Sequence, residues 1–439
     1  MKRLIITILI CIPYILHAQD AMLVLNRLHQ VSKGETLLEI AKQYNVTEQE
    51  LLSSNPEIKK KGKLKKGTYL MIPKATPQEQ PEIVSVETKK EPSSPNIKIG
   101  LILPFEEKTE RAKKMVEFYQ GFLMAADSVR KEGGDMDIFA YNRGLNESEI
   151  MDVLMKPEMA TLDVLFGPVD EQQLPAAINF CKENNIRLVL PFTNGQSLAG
   201  YPHLYMASPS YDINSAEAVT LATRVLWDKN FIILKSNSAN TKGSFFTQTL
   251  SETLKKQGKD VRVLNIDGDD LAYESAMNQF KDNVIVPDNV SIKTLNILIS
   301  QLDTFKQNHA NYNISLLGYP EWQTYTNALL NSFFTYDTYI YSSYYYNAFA
   351  PNTKSFEQAF TNNFSKVMMV CYPRYAMMGF DLAYYFLHEI RTNGATTTNR
   401  HEPYQNMYRF VKEGDNDGFC NRFIQLIHYK KNKQIELIK

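Results

Sequence analysis

Four prolines within twenty-two residues split this chain in two. Pro77, Pro81, Pro92 and Pro95 lie between Ala75 and Asn96, with Glu, Gln, Lys and Ser interspersed. Ile83, Val84 and Val86 are the largest apolar groups there, too few for a core. Proline at this density favours an extended, semi-rigid spacer. Stretched at roughly 3.1 Å per residue, residues 75–96 would hold their two flanks several nanometres apart. The C-terminal flank is long enough for more than one core; the N-terminal flank is not.

The chain opens on an address rather than on structure. Lys2 and Arg3 precede a thirteen-residue apolar run, Leu4 to Leu16, and His17-Ala18-Gln19 supplies a small residue for cleavage. Residues 1–19 therefore read as an export signal, since a membrane-spanning helix takes roughly 20 apolar residues. Leu9 and Ile10 stand before Cys11, where a lipid-attachment signal wants a small residue. Beyond the signal remain Cys181, Cys371 and Cys420, an odd set. A Cys371–Cys420 disulfide suits an oxidising compartment, and three buried thiols suit the sequence equally well. Lys+Arg and Asp+Glu both total 48, which removes the basic excess expected of a nucleic-acid binder.

Before the spacer lies a unit of two strands and two helices. Leu28 to Val31 reads as a strand, closed by Ser32-Lys33-Gly34. Leu37, Ile40, Ala41 and Tyr44 then recur at the spacing of an amphipathic helix. Thr47 and Glu50 form a capping box for a second helix through Leu51 and Leu52, and Thr68 to Pro73 makes a closing strand. The order βααβ carries Val31-Ser32-Lys33-Gly34-Glu35-Thr36-Leu37, Asn55-Pro56, Leu64-Lys65-Lys66-Gly67 and Leu70-Met71-Ile72-Pro73. These segments, over residues 28–74, resemble the LysM family. The resemblance implies a shallow groove for N-acetylglucosamine-containing glycan such as peptidoglycan, lined by Gly34, Glu35, Thr36 and Leu37 from one loop. Asn55, Pro56, Glu57 and Ile58 line it from the other. Turn-making alone would also account for Gly34 and Asn55. Ten Lys/Arg against five Glu between Arg27 and Lys74 is a bias the family does not supply, and it suits a solvated face or an anionic wall polymer.

After the spacer short apolar strands alternate with helices, the pattern of doubly wound parallel sheets. One set comprises Lys98–Leu103, Met136–Tyr141, Asp163–Phe166 and Arg187–Leu190. A second comprises Phe231–Leu234, Val261–Ile266, Asn283–Pro287, Ile314–Leu317 and Thr338–Ser342, so an α/β fold of two lobes is expected. Glu117 to Phe122, Leu165 to Val169, Ile186 to Thr193 and Met378 to Tyr384 together resemble the type I periplasmic binding proteins, such as the branched-chain amino-acid-binding proteins. The resemblance spans 97–439 and implies three crossings, near Ser208, Tyr344 and Phe419. Lobe 1 is then 97–207 with 344–418, and lobe 2 is 208–343 with 419–439. Ligands of such folds lie at the carboxyl ends of the strands. Carried onto this sequence, that nominates Phe105, Glu106, Val169, Asp170, Thr193 and Asn194 in lobe 1. In lobe 2 it nominates Tyr319 and Trp322, an aromatic platform with Glu321 as its carboxylate. Asn240-Thr241-Lys242-Gly243 stands where the family often has a Tyr-Gly-Lys-Gly-like turn, so the amino-acid-binding pattern is incomplete. Most of the aromatic run from Phe333 to Phe349 should pack lobe 2, with Ser343 to Asn347 nearest a ligand.

No G-x-S-x-G, Walker A, H-E-x-x-H or G-x-G-x-x-G run occurs, and the seven histidines are scattered. The expectation is a protein without enzymatic activity, cofactor or metal, exported to the periplasm and held on the cell wall. Its two-lobed domain would sense or scaffold, with a small-molecule ligand or a cell-wall enzyme as partner. An importer's solute-binding protein and a regulator of a wall synthase or hydrolase with a vestigial cleft are the rival expectations.

Overall fold

The computed structural model describes residues 27–53, 55, 58, 64–72, 96–105, 109–143, 147–194, 197–237, 241–392 and 402–439. The signal, the proline-rich spacer, the lysines of 59–63 and the nominated Pro56, Glu57, Glu106 and Asn240 lie outside the described residues.

The N-terminal unit is a two-stranded antiparallel ribbon, β1 (Arg27–Gln30) on β2 (Tyr69–Ile72), with Arg27 opposite Ile72 and Gln30 opposite Tyr69. Helices Leu37–Gln43 and Glu48–Ser53 lie between them in the chain. Val31, Ile40, Ala41, Leu51, Leu70 and Ile72 form its buried centre. A core this small is marginal, so the helix caps matter. Thr47 and Glu50 exchange the expected pair of bonds, Thr47 N to Glu50 Oε2 at 2.7 Å and Glu50 N to Thr47 Oγ1 at 3.1 Å. Thr36 and Glu39 form a second such box, at 2.9 and 3.3 Å.

The first sheet of the large domain begins with β3 (Ile97–Leu103), β4 (Met136–Asn142), β5 (Val164–Phe166), β6 (Arg187–Leu190) and β7 (Leu204–Met206). The second contains β8 (Asn230–Lys235), β9 (Arg262–Asn265), β10 (Asn283–Pro287), β11 (Ile314–Gly318) and β12 (Thr338–Ser342). The chain then returns to the first sheet with β13 (Phe410–Lys412) and β14 (Phe419–Asn421). It ends in the second with the hairpin β15 (Gln425–Tyr429) and β16 (Ile435–Ile438). The sheet orders are β4-β3-β5-β6-β7-β14-β13 and β9-β8-β10-β11-β12-β15-β16. Both are parallel through their first five strands. β10, β11 and β12 are buried at every position, as strands covered by helices on both faces must be. The expected α/β architecture of two doubly wound lobes is present.

One boundary moves. The sequence pattern puts the return to lobe 2 at Phe419, yet β14 pairs in parallel with β7 in the first sheet. The Phe419 ring stacks on Tyr205 with centroids 4.8 Å apart, and Asn421 Nδ2 donates to Ala207 O at 3.2 Å. Those contacts keep 419–421 in lobe 1, and the chain crosses over Arg422–Ile424. Among the described residues no disulfide joins the cysteines: Cys181 and Cys420 are buried thiols and Cys371 is a half-buried one.

Lobe 1 is closed by an unusually tight helix pair. Helix Glu110–Lys131 packs on helix Tyr375–Arg391 with glycines at the contact. A Cβ on Gly121 would lie 1.7 Å from Ala376 O, and one on Gly379 would lie 2.0 Å from Phe118 O.

Candidate functional site

In lobe 1 the loops after β3, β5 and β6 converge at the carboxyl edge of the sheet. Phe105 is buried against Tyr119, ring centroids 5.3 Å apart, and its amide donates to Asn142 Oδ1 at 2.6 Å. Thr193 Oγ1 donates to Val169 O at 3.3 Å, which ties the β5 and β6 loops together. Asp170 Oδ1 accepts from Arg111 at 2.9 Å, while its Oδ2 is buried with no hydrogen-bond partner. The structure thus brings Val169, Asp170 and Thr193 together, with Phe105 at the end of the neighbouring strand. Asn194 is exposed beside them.

Lobe 2 departs from expectation. Tyr319 and Trp322 are completely buried, so neither is a platform for a ligand. Tyr319 donates to the carbonyl of Pro287 and packs edge-on against Phe246 and Trp322. Trp322 stacks on Phe333 at 6.0 Å and lies over Gly318, where a Cβ would meet its ring at 2.1 Å. The glycine clears the space into which the indole folds, and that turns the platform into core. Trp322→Ala is accordingly expected to cost about 3–5 kcal/mol of stability. Glu321→Gln should leave the melting temperature within a degree or two, because the ion pair it weakens is solvent-screened. Thermal denaturation of the two variants checks this, and the reverse ranking would restore Trp322 to the crevice.

What lobe 2 offers at its strand ends is polar. Lys242 Nζ bonds Glu321 Oε1 at 2.8 Å and lies 5.5 Å from the ring centre of Tyr211. Tyr211 Oη donates to Lys242 O at 2.9 Å and shares a 3.0 Å bond with Tyr341 Oη. Burial pushes the Tyr211 hydroxyl up to about 12, so it stays protonated. Glu321 Oε2, like Asp170 Oδ2, is buried without a partner. Sequence reasoning reaches Glu321 but misses Tyr211, which lies just after the first crossing and carries no motif. Phe333, Tyr336, Tyr339 and Tyr341 are core, while Tyr346 leaves the sheet to cover the Arg374 guanidinium at 4.5 Å.

In the N-terminal unit the nominated groove residues are mostly engaged with their own loop. Gly34 has φ +88°, a conformation that favours glycine, with open space where a Cβ would stand. Glu35 Oε2 accepts from Ser32 N at 2.6 Å and bonds His29 Nε2 at 2.9 Å. The Ser32 amide, and after it His29, holds the Glu35 carboxyl below the usual carboxylate range. Asn55 is buried and donates from Nδ2 to Leu51 O at 2.7 Å, and its carbonyl accepts from Ile58 N at 3.1 Å. Leu37 and Ile58 are half-buried against the core.

Residues 29–73 match the family model described as the LysM domain. That segment of the chain is a LysM domain. Among solved structures, a branched-chain amino acid ABC transporter protein from Rhodospirillum rubrum is 11% identical, with TM-score 0.52 over 78% of this chain and 100% of that one. Full-length LpoA from Haemophilus influenzae is 13% identical, with TM-score 0.51 over 79% of this chain and 60% of that one. The large domain has the fold of type I periplasmic binding proteins. No curated protein matches the sequence.

Within the LysM domain, the contacts of Thr36, Glu35 and Asn55 give these side chains structural work. Among the described residues of the two nominated loops, Gly34 is exposed and Leu37 and Ile58 are half-buried. Thr36→Ala removes an N-cap and is expected to cost the domain about 1 kcal/mol. Thermal denaturation of the variant checks this.

Proposed function

We propose that this protein is a non-enzymatic component of the cell envelope, attached to peptidoglycan through its LysM domain, whose two-lobed domain recognises a partner rather than converting one. The observation that carries this reading is a LysM domain on the same chain as a binding-protein fold. A freely diffusing solute receptor gains little from being held on a polymer, so attachment favours sensing or scaffolding. Export by residues 1–19 to the periplasm belongs to the same reading. Among the described residues no helix is long and apolar enough to cross a membrane.

The first reading is a small ligand with hydrogen-bond donors, held between the strand ends of the two lobes. Asp170 Oδ2 and Glu321 Oε2, one on each lobe, are buried acceptors without partners, and such groups are costly unless something satisfies them. Phe105, Val169, Thr193 and Asn194 complete the lobe 1 side of the proposed site. A second reading rests on the Lys242–Glu321 pair and the buried Tyr319 and Trp322, which spend lobe 2 side chains on one another. In that reading the crevice is vestigial and the domain docks a peptidoglycan synthase or hydrolase. A thermal-shift screen over amino acids, sugars and muropeptides separates the two. The first predicts a rise of several degrees with a saturating ligand. The second predicts a flat screen together with co-purification of a wall enzyme. A ligand-induced rise that survives Asp170→Asn and Glu321→Gln together would remove the proposed site.

A further inference from the structure

Away from the crevice loops, lobe 1 contains a half-enclosed cavity of about 140 Å³. Its walls come from helix Tyr375–Arg391 and from the segment leading to β13: Asp381, Tyr384, Tyr385, His388, Met407 and Tyr408 are among them. The volume is close to the roughly 150 Å³ that accommodates a benzene-sized guest.

Three features of the lining need an explanation. Asp381 is buried, and its oxygens accept from the amides of Tyr404 at 2.9 Å, Gln405 at 2.9 Å and Asn406 at 2.7 Å. Those three bonds fix the 404–406 backbone but bring no positive charge, and among the described residues no cation forms an ion pair with this carboxylate. Burial holds its carboxyl up at about 7 despite the three donors. Second, the Tyr408 hydroxyl is buried with no hydrogen-bond partner. Third, Tyr384, Tyr385 and Tyr408 line the same space, with the Tyr384 ring stacked on both Phe380 at 5.8 Å and His388 at 5.7 Å.

A buried carboxylate without a counter-charge is costly, and the apolar edges of the surrounding rings suit the alkyl part of a small cation. We infer that this cavity binds a small organic cation, an alkylammonium of about four carbons, with Asp381 as counter-charge, the tyrosine rings as walls and Tyr408 Oη as an acceptor. An anion would face Asp381. A neutral alcohol could satisfy the Tyr408 hydroxyl but would leave the carboxylate uncompensated. The site is independent of the crevice, and its failure would leave the proposed function untouched.

The test uses the full chain at pH 8.5, with n-butylammonium, n-butanol and butyrate compared by saturation-transfer NMR and calorimetry. Saturable binding of n-butylammonium in the millimolar range is expected, at least tenfold tighter than n-butanol, with butyrate not bound. Tyr408→Phe should weaken the ammonium severalfold without lowering the melting temperature, since it removes a hydroxyl that bonds nothing in the protein. Asp381→Asn should weaken it tenfold or more. Should the Asp381→Asn change unfold the 404–406 segment, the ligand series on the unaltered chain still decides. Equal binding of butylammonium and butanol, or no saturable binding of butylammonium, overturns the assignment.

Discussion

Gly121→Ala will destabilise the large domain by about 3 kcal/mol, the upper range for overpacking a close-packed contact, and lower its Tm by roughly 4 °C. The added methyl would stand 1.7 Å from Ala376 O. Its neighbour is a helix backbone, so no side chain can rotate away, and helices 110–131 and 375–391 must separate. Gly379→Ala should behave alike, through the Phe118 carbonyl 2.0 Å from its Cβ position. The double variant should cost clearly less than the sum of the two, because a gap opened for one methyl admits the other. Full additivity in thermal or urea denaturation would mean that the two glycines do not share one contact.

Removal of residues 29–73 is the second large effect. In a pelleting assay with purified peptidoglycan, the full chain should sediment and the shortened one should fall to the background of an unrelated soluble protein. Circular dichroism of the shortened chain should retain the α/β signal, because the hydrophobic clusters of the two lobes include no residue before Ile97. Equal sedimentation of both chains would defeat the proposed attachment. The basic character of the segment is tested in the same experiment. If the excess of lysines rather than the glycan groove carries binding, sedimentation will collapse at high salt, where exposed charges are screened.

The architecture is legible in the sequence because each lobe declares itself by strand after strand of branched aliphatic residues. β6, β10 and β12 occur at the expected positions, Arg187–Leu190, Asn283–Pro287 and Thr338–Ser342. β7 is not legible: Leu204-Tyr205-Met206 carries no β-branched residue, whereas β5, equally short, has Val164 and is closed by Gly167-Pro168. The last crossing lies a few residues later than the pattern suggests, because Phe419 looks the same whether it faces Tyr205 or lobe 2. The site is harder to read for a related reason. Strand ends can be located from pattern, but exposure there depends on which neighbour leaves room. Tyr319 and Trp322 come after β11, as a ligand platform would, yet Gly318 lets the indole fold inward. Thr36 and Asn55 are candidates by family pattern, and their hydrogen bonds turn out to hold the LysM loops in shape.

The path of the chain through lobe 1 has a consequence for the order in which the molecule can be built. Helix 110–131 packs chiefly on helix 375–391, with helix Pro351–Phe364 also against it, and β7 meets β14 at Phe419–Asn421. The five parallel strands of lobe 2, from Asn230 to Ser342, are by contrast one uninterrupted stretch. During synthesis the early half of lobe 1 must wait, with an apolar helix face and a sheet edge uncovered, until residues 375–421 have emerged. Lobe 2 lacks only its terminal hairpin at that stage. Residues 375–421 therefore act as a late fastening for residues 97–206, and a chain cut short before residue 375 would leave lobe 1 without the helix that closes it.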